Sequence, residues 1–149
     1  MAAQGCDAIG IDLVPAAIEA AKAKAENEGS TAQFVQADIF DLPRELLGSF
    51  DFVYDSQCFH CLRMHDEAAA VVAIASLMKQ GAHLLVLTGN DREPEVGPAV
   101  LSKEELEGAF VGSGLFRVVD IREGRFDTTE YYATLPSCPL AWEALFQRI

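Results

Sequence analysis

Two acidic residues, Asp12 and Asp38, each close a short apolar run, and one helix-like segment separates the two runs. Ligands of open α/β sheets bind beyond the carboxyl ends of parallel strands, where an acidic side chain can accept from both hydroxyls of a ribose. A second acid at the end of the neighbouring strand can face the base of the same nucleoside. The spacing therefore predicts a nucleoside site to which both carboxylates contribute.

Alternating strand-like and helix-like segments would position these acids. The predicted strands are residues 8–12, 34–37, 50–54, 83–88, 116–121 and 141–149, and the predicted helices are residues 15–25, 65–80 and 102–111. This alternation is typical of the α/β class. We expect a Rossmann-like sheet that is mostly parallel and has an antiparallel final strand.

The length of 149 residues predicts one domain, residues 1–149, and a hydrophobic content of 50% is typical of a globular protein. The net charge of −12 and the lack of a basic patch argue against a nucleic-acid partner. No apolar run has the length of a membrane-spanning helix. The first residues do not resemble a signal peptide, and four cysteines without secretory context suit a reducing compartment, so we expect a cytoplasmic protein.

A cluster of cysteine and histidine offers two further interpretations. Cys58, His60, Cys61 and His65 could suggest a zinc site, and Cys58 with Cys61 could suggest a redox pair. Structural zinc sites take their ligands from two separate loops, which this single segment does not provide. Buried cysteine more often behaves as a small hydrophobic residue. Both interpretations are therefore disfavoured, and we expect no metal site.

Several segments carry a family resemblance. Successive motifs of class I S-adenosylmethionine-dependent methyltransferases resemble, in order, residues 9–12, 36–40, 50–55 and 77–81. Residues 55–62 are similar to the small-molecule branch that includes thiopurine and thiol S-methyltransferases, and residues 125–127 and 139–142 also suit that branch. The resemblance implies S-adenosylmethionine as cofactor and a small molecule as methyl acceptor, with sulfur as one candidate acceptor atom.

The resemblance also implies roles for the residues that hold the adenosine. Asp12 would bind both ribose hydroxyls, and Leu13 would lie against the adenine ring. Asp38 would accept from the adenine amino group, while the backbone N–H of Ile39 would donate to a ring nitrogen. A carboxylate that accepts from hydroxyls makes charge-assisted bonds, each contributing roughly 1.5–3 kcal/mol.

The resemblance implies that further residues contact the methionine moiety of the cofactor and the methyl acceptor. Asp55 and Ser56 would line the methionine moiety, and Phe59 and His60 would face the acceptor. His60 could act as catalytic base, since imidazole titrates near neutrality, but a histidine that only packs or orients the loop is an equal alternative. Tyr131 lies in a late connection of the kind that carries substrate specificity, although it could instead cover the sheet.

One family feature is missing from the sequence. The family opens with a strand and a Gly-x-Gly-x-Gly turn, whereas the one Gly-x-Gly here, residues 112–114, follows a predicted helix. The chain thus resembles a methyltransferase domain that lacks its first strand and helix. The neighbours of that strand would then have open edges, so we expect the chain to close the gap or to self-associate through it, and to bind the cofactor weakly.

Three functions follow in order of preference. The first is methyl transfer from S-adenosylmethionine to a small molecule. The second is a noncatalytic remnant that binds a partner, or itself, through an open sheet edge. The third is a nicotinamide-dependent oxidoreductase, because Asp12 would also suit a dinucleotide ribose, but that reading leaves Asp38 without a role.

Overall fold

The first 44 residues form two paired parallel strands that are connected by one helix. The computed structural model describes residues 1–93, 100–127 and 138–149. Strand β1 (Ile9–Asp12) pairs in parallel with β2 (Gln33–Gln36), and helix α1 (Pro15–Asn27) connects them. Proline begins α1, where its missing N–H costs nothing. These elements belong to one compact unit, Met1–Arg44.

A second unit, Glu45–Ile149, contains a four-stranded sheet and two helices. Its elements are β3 (Phe50–Ser56), α2 (Phe59–Leu77), β4 (Met78–Gly89), α3 (Lys103–Gly112), β5 (Phe116–Arg125) and β6 (Leu140–Arg148). The strand order is β3-β4-β6-β5. Strands β3 and β4 are parallel, whereas β6 runs antiparallel to both β4 and β5. The predicted α/β class and its antiparallel final strand are therefore confirmed.

Aromatic rings join the two helices of this unit to its sheet. Phe110 of α3 packs against Phe59 of α2 with ring centroids 4.7 Å apart, and against Phe146 of β6 at the same separation. Phe116 of β5 meets Phe110 edge to face at 5.5 Å. All four side chains are almost completely buried. Such pairs add roughly 0.5–1.5 kcal/mol each beyond the area that they bury.

The bounds of α2 differ from the predicted helix over residues 65–80. The helix begins at Phe59 and bends at Asp66, whose φ of −158° and ψ of 103° are not helical. Asp66 then restarts the helix, because its Oδ1 accepts from the N–H of Ala69 at 2.9 Å. The helix ends at Leu77, where Met78 enters β4 and pairs with Phe50. Strand pairing therefore overrides the helical pattern of residues 78–80.

Four strands have one open edge each in the described part of the chain. Strands β1 and β2 pair only with each other, β3 pairs only with β4, and β5 pairs only with β6. Exposed strand edges present unpaired N–H and C=O groups that can accept another strand. None of the helices within these described ranges is long and apolar enough to cross a membrane.

Candidate cofactor and acceptor site

Asp12 ends β1 with an exposed carboxylate. Its Oδ1 accepts from the N–H of Val14 at 2.8 Å, which turns the chain from the strand into α1. Its backbone carbonyl accepts from the N–H of Ala37 at 3.1 Å. This second bond carries the pairing of β1 and β2 one step beyond the strand ends, so the segment after β2 lies beside Asp12.

Asp38 follows β2 and is exposed as well. Its Oδ1 accepts from the N–H of Phe40 at 2.9 Å, and its carbonyl accepts from the N–H of Asp41 at 3.0 Å. These are the bonds of a tight turn that an aspartate stabilises through its own side chain. Ile39, between them, is half-buried.

The register brings the two carboxylates to the same end of the β1–β2 pair. Asp12 lies opposite Gln36, and Asp38 is two residues further along. Strand spacing and rise place the two aspartate Cα atoms about 8 Å apart if the chain stays extended. Leu13, next to Asp12, is 60% exposed and offers apolar surface there. The register of β1 and β2 therefore places Asp12 and Asp38 at the same end of this strand pair.

Asp55, in contrast, is a buried acid near the end of β3, with 8% of its surface exposed. Its Oδ1 accepts from the N–H groups of Cys58 and Phe59, at 3.2 and 3.1 Å. It thereby caps the start of α2 from outside the helix. Burial raises the pKa of Asp55, and the two backbone bonds and the nearby His60 oppose that rise.

The loop after β3 is tied to β4 by a residue that the sequence analysis did not single out. Ser56 ends β3 and is exposed. Gln57 has a left-handed φ of 63°, and its N–H donates to the carbonyl of Leu87 at 3.0 Å. Its Oε1 is buried without a hydrogen-bond partner in the described structure. No pattern of residue types signals this conformation, since glutamine adopts it infrequently.

His60 lies in the first turn of α2 and is 5% exposed. Its Nε2 is 3.1 Å from Sγ of Cys61, and its Nδ1 is buried without a hydrogen-bond partner among the described residues. Burial lowers the pKa of His60, and the charge of Asp55 opposes that fall. A lowered pKa keeps the imidazole neutral at neutral pH, which is the form that can accept a proton.

Besides His60, the sequence predicted that Phe59 and Tyr131 face the acceptor. Phe59 is completely buried and packs against Phe110, so the structure supports a role in the core rather than a surface that faces the acceptor. Tyr131 lies outside the described residues. Trp142 of β6 is also a core residue, and its Nε1–H donates to the carbonyl of Leu101 at 2.9 Å.

The cysteines near the start of α2 are not buried. Cys58 and Cys61 are both exposed, so the premise that they act as small hydrophobic residues in the core is wrong. Within residues 1–93, 100–127 and 138–149, no three or more His, Cys, Asp or Glu side chains are grouped so that they could hold a metal ion.

A polar cluster that the sequence analysis missed follows β4. Asn90 is 1% exposed, and its Nδ2 donates to Oε1 of Glu123 at 3.4 Å. The same oxygen accepts from Nη1 of Arg92 at 2.7 Å. Glu93 pairs with Arg125 at 3.2 Å, and the first backbone N–H of β6 holds the pKa of Glu93 below its usual range. The cluster occupies the carboxyl end of a strand, where sheets of this class bind ligands.

Comparisons with known proteins identify the family to which the chain belongs. The family model for thiopurine S-methyltransferase (TPMT) matches residues 1–131. No curated protein matches the chain. Among solved structures, one from work on the conversion of a disulfide bond into a thioacetal group during echinomycin biosynthesis is 25% identical, with a TM-score of 0.82; the match covers 99% of this chain and 69% of that one.

Two more distant structures share the fold. An S-adenosylmethionine-dependent methyltransferase from Methanosarcina mazei is 17% identical with a TM-score of 0.81, over 99% of this chain and 84% of that one. The N-methyltransferase NodS from Bradyrhizobium japonicum WM9, solved with S-adenosyl-L-homocysteine, is 18% identical with a TM-score of 0.66, over 95% and 66%.

Proposed function

Because the chain belongs to the thiopurine S-methyltransferase family, we propose that it transfers the methyl group of S-adenosylmethionine to a small molecule, with sulfur as the acceptor atom. S-adenosylmethionine is the cofactor of this family, and it supplies an electrophilic methyl group. The observation that carries the proposal is the pair of exposed carboxylates, Asp12 and Asp38, at one end of two parallel strands. The family match favours methyl transfer over nicotinamide chemistry, which would leave Asp38 unused.

The first unit would hold the adenosine. Asp12 would accept from the ribose hydroxyls and Asp38 from the adenine amino group. The exposed side chain of Leu13 would cover one face of the base, and the backbone N–H of Ile39 would donate to a ring nitrogen. Each carboxylate uses Oδ1 in a local turn, so its position is fixed before a ligand arrives. Pre-organisation of this kind lowers the entropic cost of binding.

The family resemblance assigns the methionine end and the acceptor to residues at the end of β3 and the start of α2. Asp55 is a positioning residue, because its carboxylate holds the start of α2. Ser56 is exposed beside it and would contact the methionine moiety. Methyl transfer is a direct displacement at carbon, so it depends on alignment and on a deprotonated acceptor.

His60 would remove the acceptor proton. Its Nδ1 is the ring nitrogen that lacks a partner in the described structure. The lowered pKa keeps the ring neutral at neutral pH, so that Nδ1 can accept a proton in the tautomer that has its hydrogen on Nε2. The proton of the acceptor thiol would move to Nδ1, which leaves a thiolate as the nucleophile for the methyl group that the cofactor would supply. Because His60 is only 5% exposed, its surroundings must move before an acceptor can reach Nδ1.

The acceptor class, the domain organisation and the location of the protein form part of the same proposal. The net charge of −12 disfavours a nucleic acid as acceptor. We propose a single domain over residues 1–149 and a cytoplasmic location, in keeping with the small-molecule acceptor.

The proposal is tested by incubating the full chain with S-adenosylmethionine and three matched acceptors: an aromatic thiol, an aliphatic thiol and the corresponding phenol. Mass spectrometry then measures S-adenosylhomocysteine and the methylated product. We expect product from a thiol and little from the phenol, because the softer sulfur is the better nucleophile at neutral pH. Equal turnover of the phenol would contradict sulfur as the acceptor atom, and no product from any acceptor would favour the next candidate.

A second candidate is a noncatalytic protein that self-associates through its open strand edges. The edge strand β5 carries three arginines (Arg117, Arg122 and Arg125), which discourage pairing with another strand. The open edge strand β3 instead has exposed Phe52 and Tyr54. The occupant that we propose for this edge is a second copy of the chain. Native mass spectrometry with and without S-adenosylmethionine separates this candidate from a monomeric enzyme.

A further inference from the structure

Cys58 and Cys61 share the first turn of α2. Cys58 precedes the helix as its N-cap residue, Cys61 lies three residues on, and both are exposed. The N–H of Cys61 donates to the carbonyl of Cys58 at 2.9 Å. The same carbonyl also accepts from the N–H of Leu62 at 3.2 Å, so the turn combines a 3₁₀-type i to i+3 bond with an α-helical i to i+4 bond, and side chains three residues apart lie on one face of it. From this turn we infer a modification site: peroxide converts Cys58 and Cys61 into a reversible disulfide.

The geometry suits a labile disulfide rather than a permanent one. Cβ atoms three residues apart in an α-helix are about 5–6 Å apart, whereas a disulfide needs about 3.5–4.5 Å. The first turn must therefore tighten by about 1–2 Å, the difference between these two spacings. The 3₁₀-type bond already pulls the turn in this direction. A disulfide that retains some strain is easier to reduce, as a reversible switch requires.

His60 supplies the proton acceptor for the first step. Its Nε2 is 3.1 Å from Sγ of Cys61. In the tautomer that has its hydrogen on Nδ1, the opposite of the one that methyl transfer would use, Nε2 takes the proton of Cys61. The thiolate then attacks one peroxide oxygen; an S–O bond forms, the O–O bond breaks, and water leaves with a proton from solvent. The thiol of Cys58 then attacks the sulfenic sulfur. An S–S bond forms, the S–O bond breaks, and a second water leaves, so two electrons pass from the two sulfurs to the peroxide.

The other two cysteines are internal controls. Cys6 is exposed and Cys138 is half-buried, and neither has another cysteine within three residues in the sequence. Neither can therefore form a disulfide within one helical turn. Oxidation of these two would give sulfenic acid or a bond between molecules instead.

The test uses the full chain, hydrogen peroxide in equimolar amount, and alkylation of the remaining thiols before trypsin digestion. Cleavage after Arg44 and Arg63 leaves Cys58 and Cys61 on one peptide, residues 45–63. We expect this peptide to lose two hydrogens in mass, to resist alkylation, and to regain both thiols with dithiothreitol. The Cys58→Ser and Cys61→Ser variants should each lose the product, whereas Cys6→Ser and Cys138→Ser should form it as the natural sequence does.

The rate of disulfide formation tests the role of His60, whereas the peptide mass tests the disulfide itself. We expect His60→Gln to slow disulfide formation by roughly tenfold or more, as loss of a general base does, with circular dichroism to verify its fold. An unchanged rate would remove His60 from the mechanism. Two alkylated thiols on peptide 45–63 after oxidation, or linkages between molecules only, would overturn the inference. None of these readouts depends on methyl transfer, so they decide the question even if the proposed function fails.

Discussion

At the scale of single residues, exposure separates three acids that all stand at or near strand ends. Asp12 and Asp38 are exposed and keep carboxylate surface for a ligand, whereas Asp55 is buried and serves the helix that follows it. The three look alike in the sequence, since each comes at the end of an apolar run. Burial therefore decides which of them can recognise a nucleoside and which positions the chain.

The buried carboxyl of Asp55 gives a pH-dependent prediction. Its native pKa is raised above the ordinary value of 3.8, chiefly by burial, so the native state holds this proton to higher pH than the unfolded state does. The stability that protonated Asp55 contributes is fully present below pH 3.8 and is lost as the pH rises through the native pKa. The Asp55→Asn variant keeps an oxygen for the two backbone N–H groups but has no charge to bury.

We therefore expect the free energy of unfolding of Asp55→Asn to increase relative to the natural sequence as the pH rises from about 4 to 7. Urea unfolding at a series of pH values measures this difference. Asp51→Asn is the matched control, because Asp51 is exposed on the same strand and pairs with Lys79. Parallel profiles for Asp55→Asn and the natural sequence would show that burial of the carboxylate has no net cost.

At the scale of elements, α3 is held at its start by a reciprocal cap. The Oγ of Ser102 accepts from the N–H of Glu105 at 3.1 Å, and Oε2 of Glu105 accepts from the N–H of Ser102 at 2.8 Å. The backbone N–H of Ser102 is the main reason why the pKa of Glu105 is lowered. Glu105 also pairs with Arg63 of α2 at 3.1 Å, so the cap joins the two helices of the second unit.

Removal of this cap should destabilise the protein without unfolding it. We expect Ser102→Ala to lose about 1 kcal/mol of unfolding free energy in urea. Ser102→Thr retains the hydroxyl and should lose much less. A Ser102→Ala variant as stable as the natural sequence would mean that solvent replaces the cap at no cost.

The elements also show what local sequence predicts and what it does not. The capping box of α3 and the proline at the start of α1 were predicted, because each depends on residues adjacent in the chain. The bounds of α2 were not, because its end depends on pairing between Met78 and Phe50, 28 residues away in the sequence. Contacts over such distances carry no local signal. The polar cluster around Asn90 was not predicted for the same reason, because its partner Glu123 is distant in the sequence and lies on β5.

At the scale of the whole molecule, the strand edges differ in chemistry. Strand β5 carries Arg117 and Arg122 on either side of its exposed Val118 and Val119, with Arg125 at its end. Strand β3 has exposed Phe52 and Tyr54 and pairs only with β4 in the described structure. Apolar residues on an open edge favour pairing with another strand. The β3 edge is therefore the one at which we expect association.

A charge on the β3 edge should weaken that association. Sedimentation velocity over a range of concentrations should show a dimer for the natural sequence, and Tyr54→Lys should shift the equilibrium toward monomer by roughly tenfold or more, the equivalent of about 1.4 kcal/mol. Val118→Lys places the same charge on the exposed part of β5 and should leave the equilibrium unchanged. A natural sequence that stays monomeric throughout, or equal effects of both variants, would exclude the β3 edge as the contact.

The most direct test of the nucleoside site is calorimetric titration of S-adenosylmethionine into the full chain. Asp12→Asn and Asp38→Asn keep the oxygen that each local turn uses, yet each removes the charge, so we expect each to weaken binding by roughly 10- to 100-fold. Asp7→Asn changes an exposed acid that precedes β1 and should bind as the natural sequence does. Unchanged affinity in Asp12→Asn and Asp38→Asn, or no binding by the natural sequence, would contradict the assignment of these two carboxylates to one adenosine.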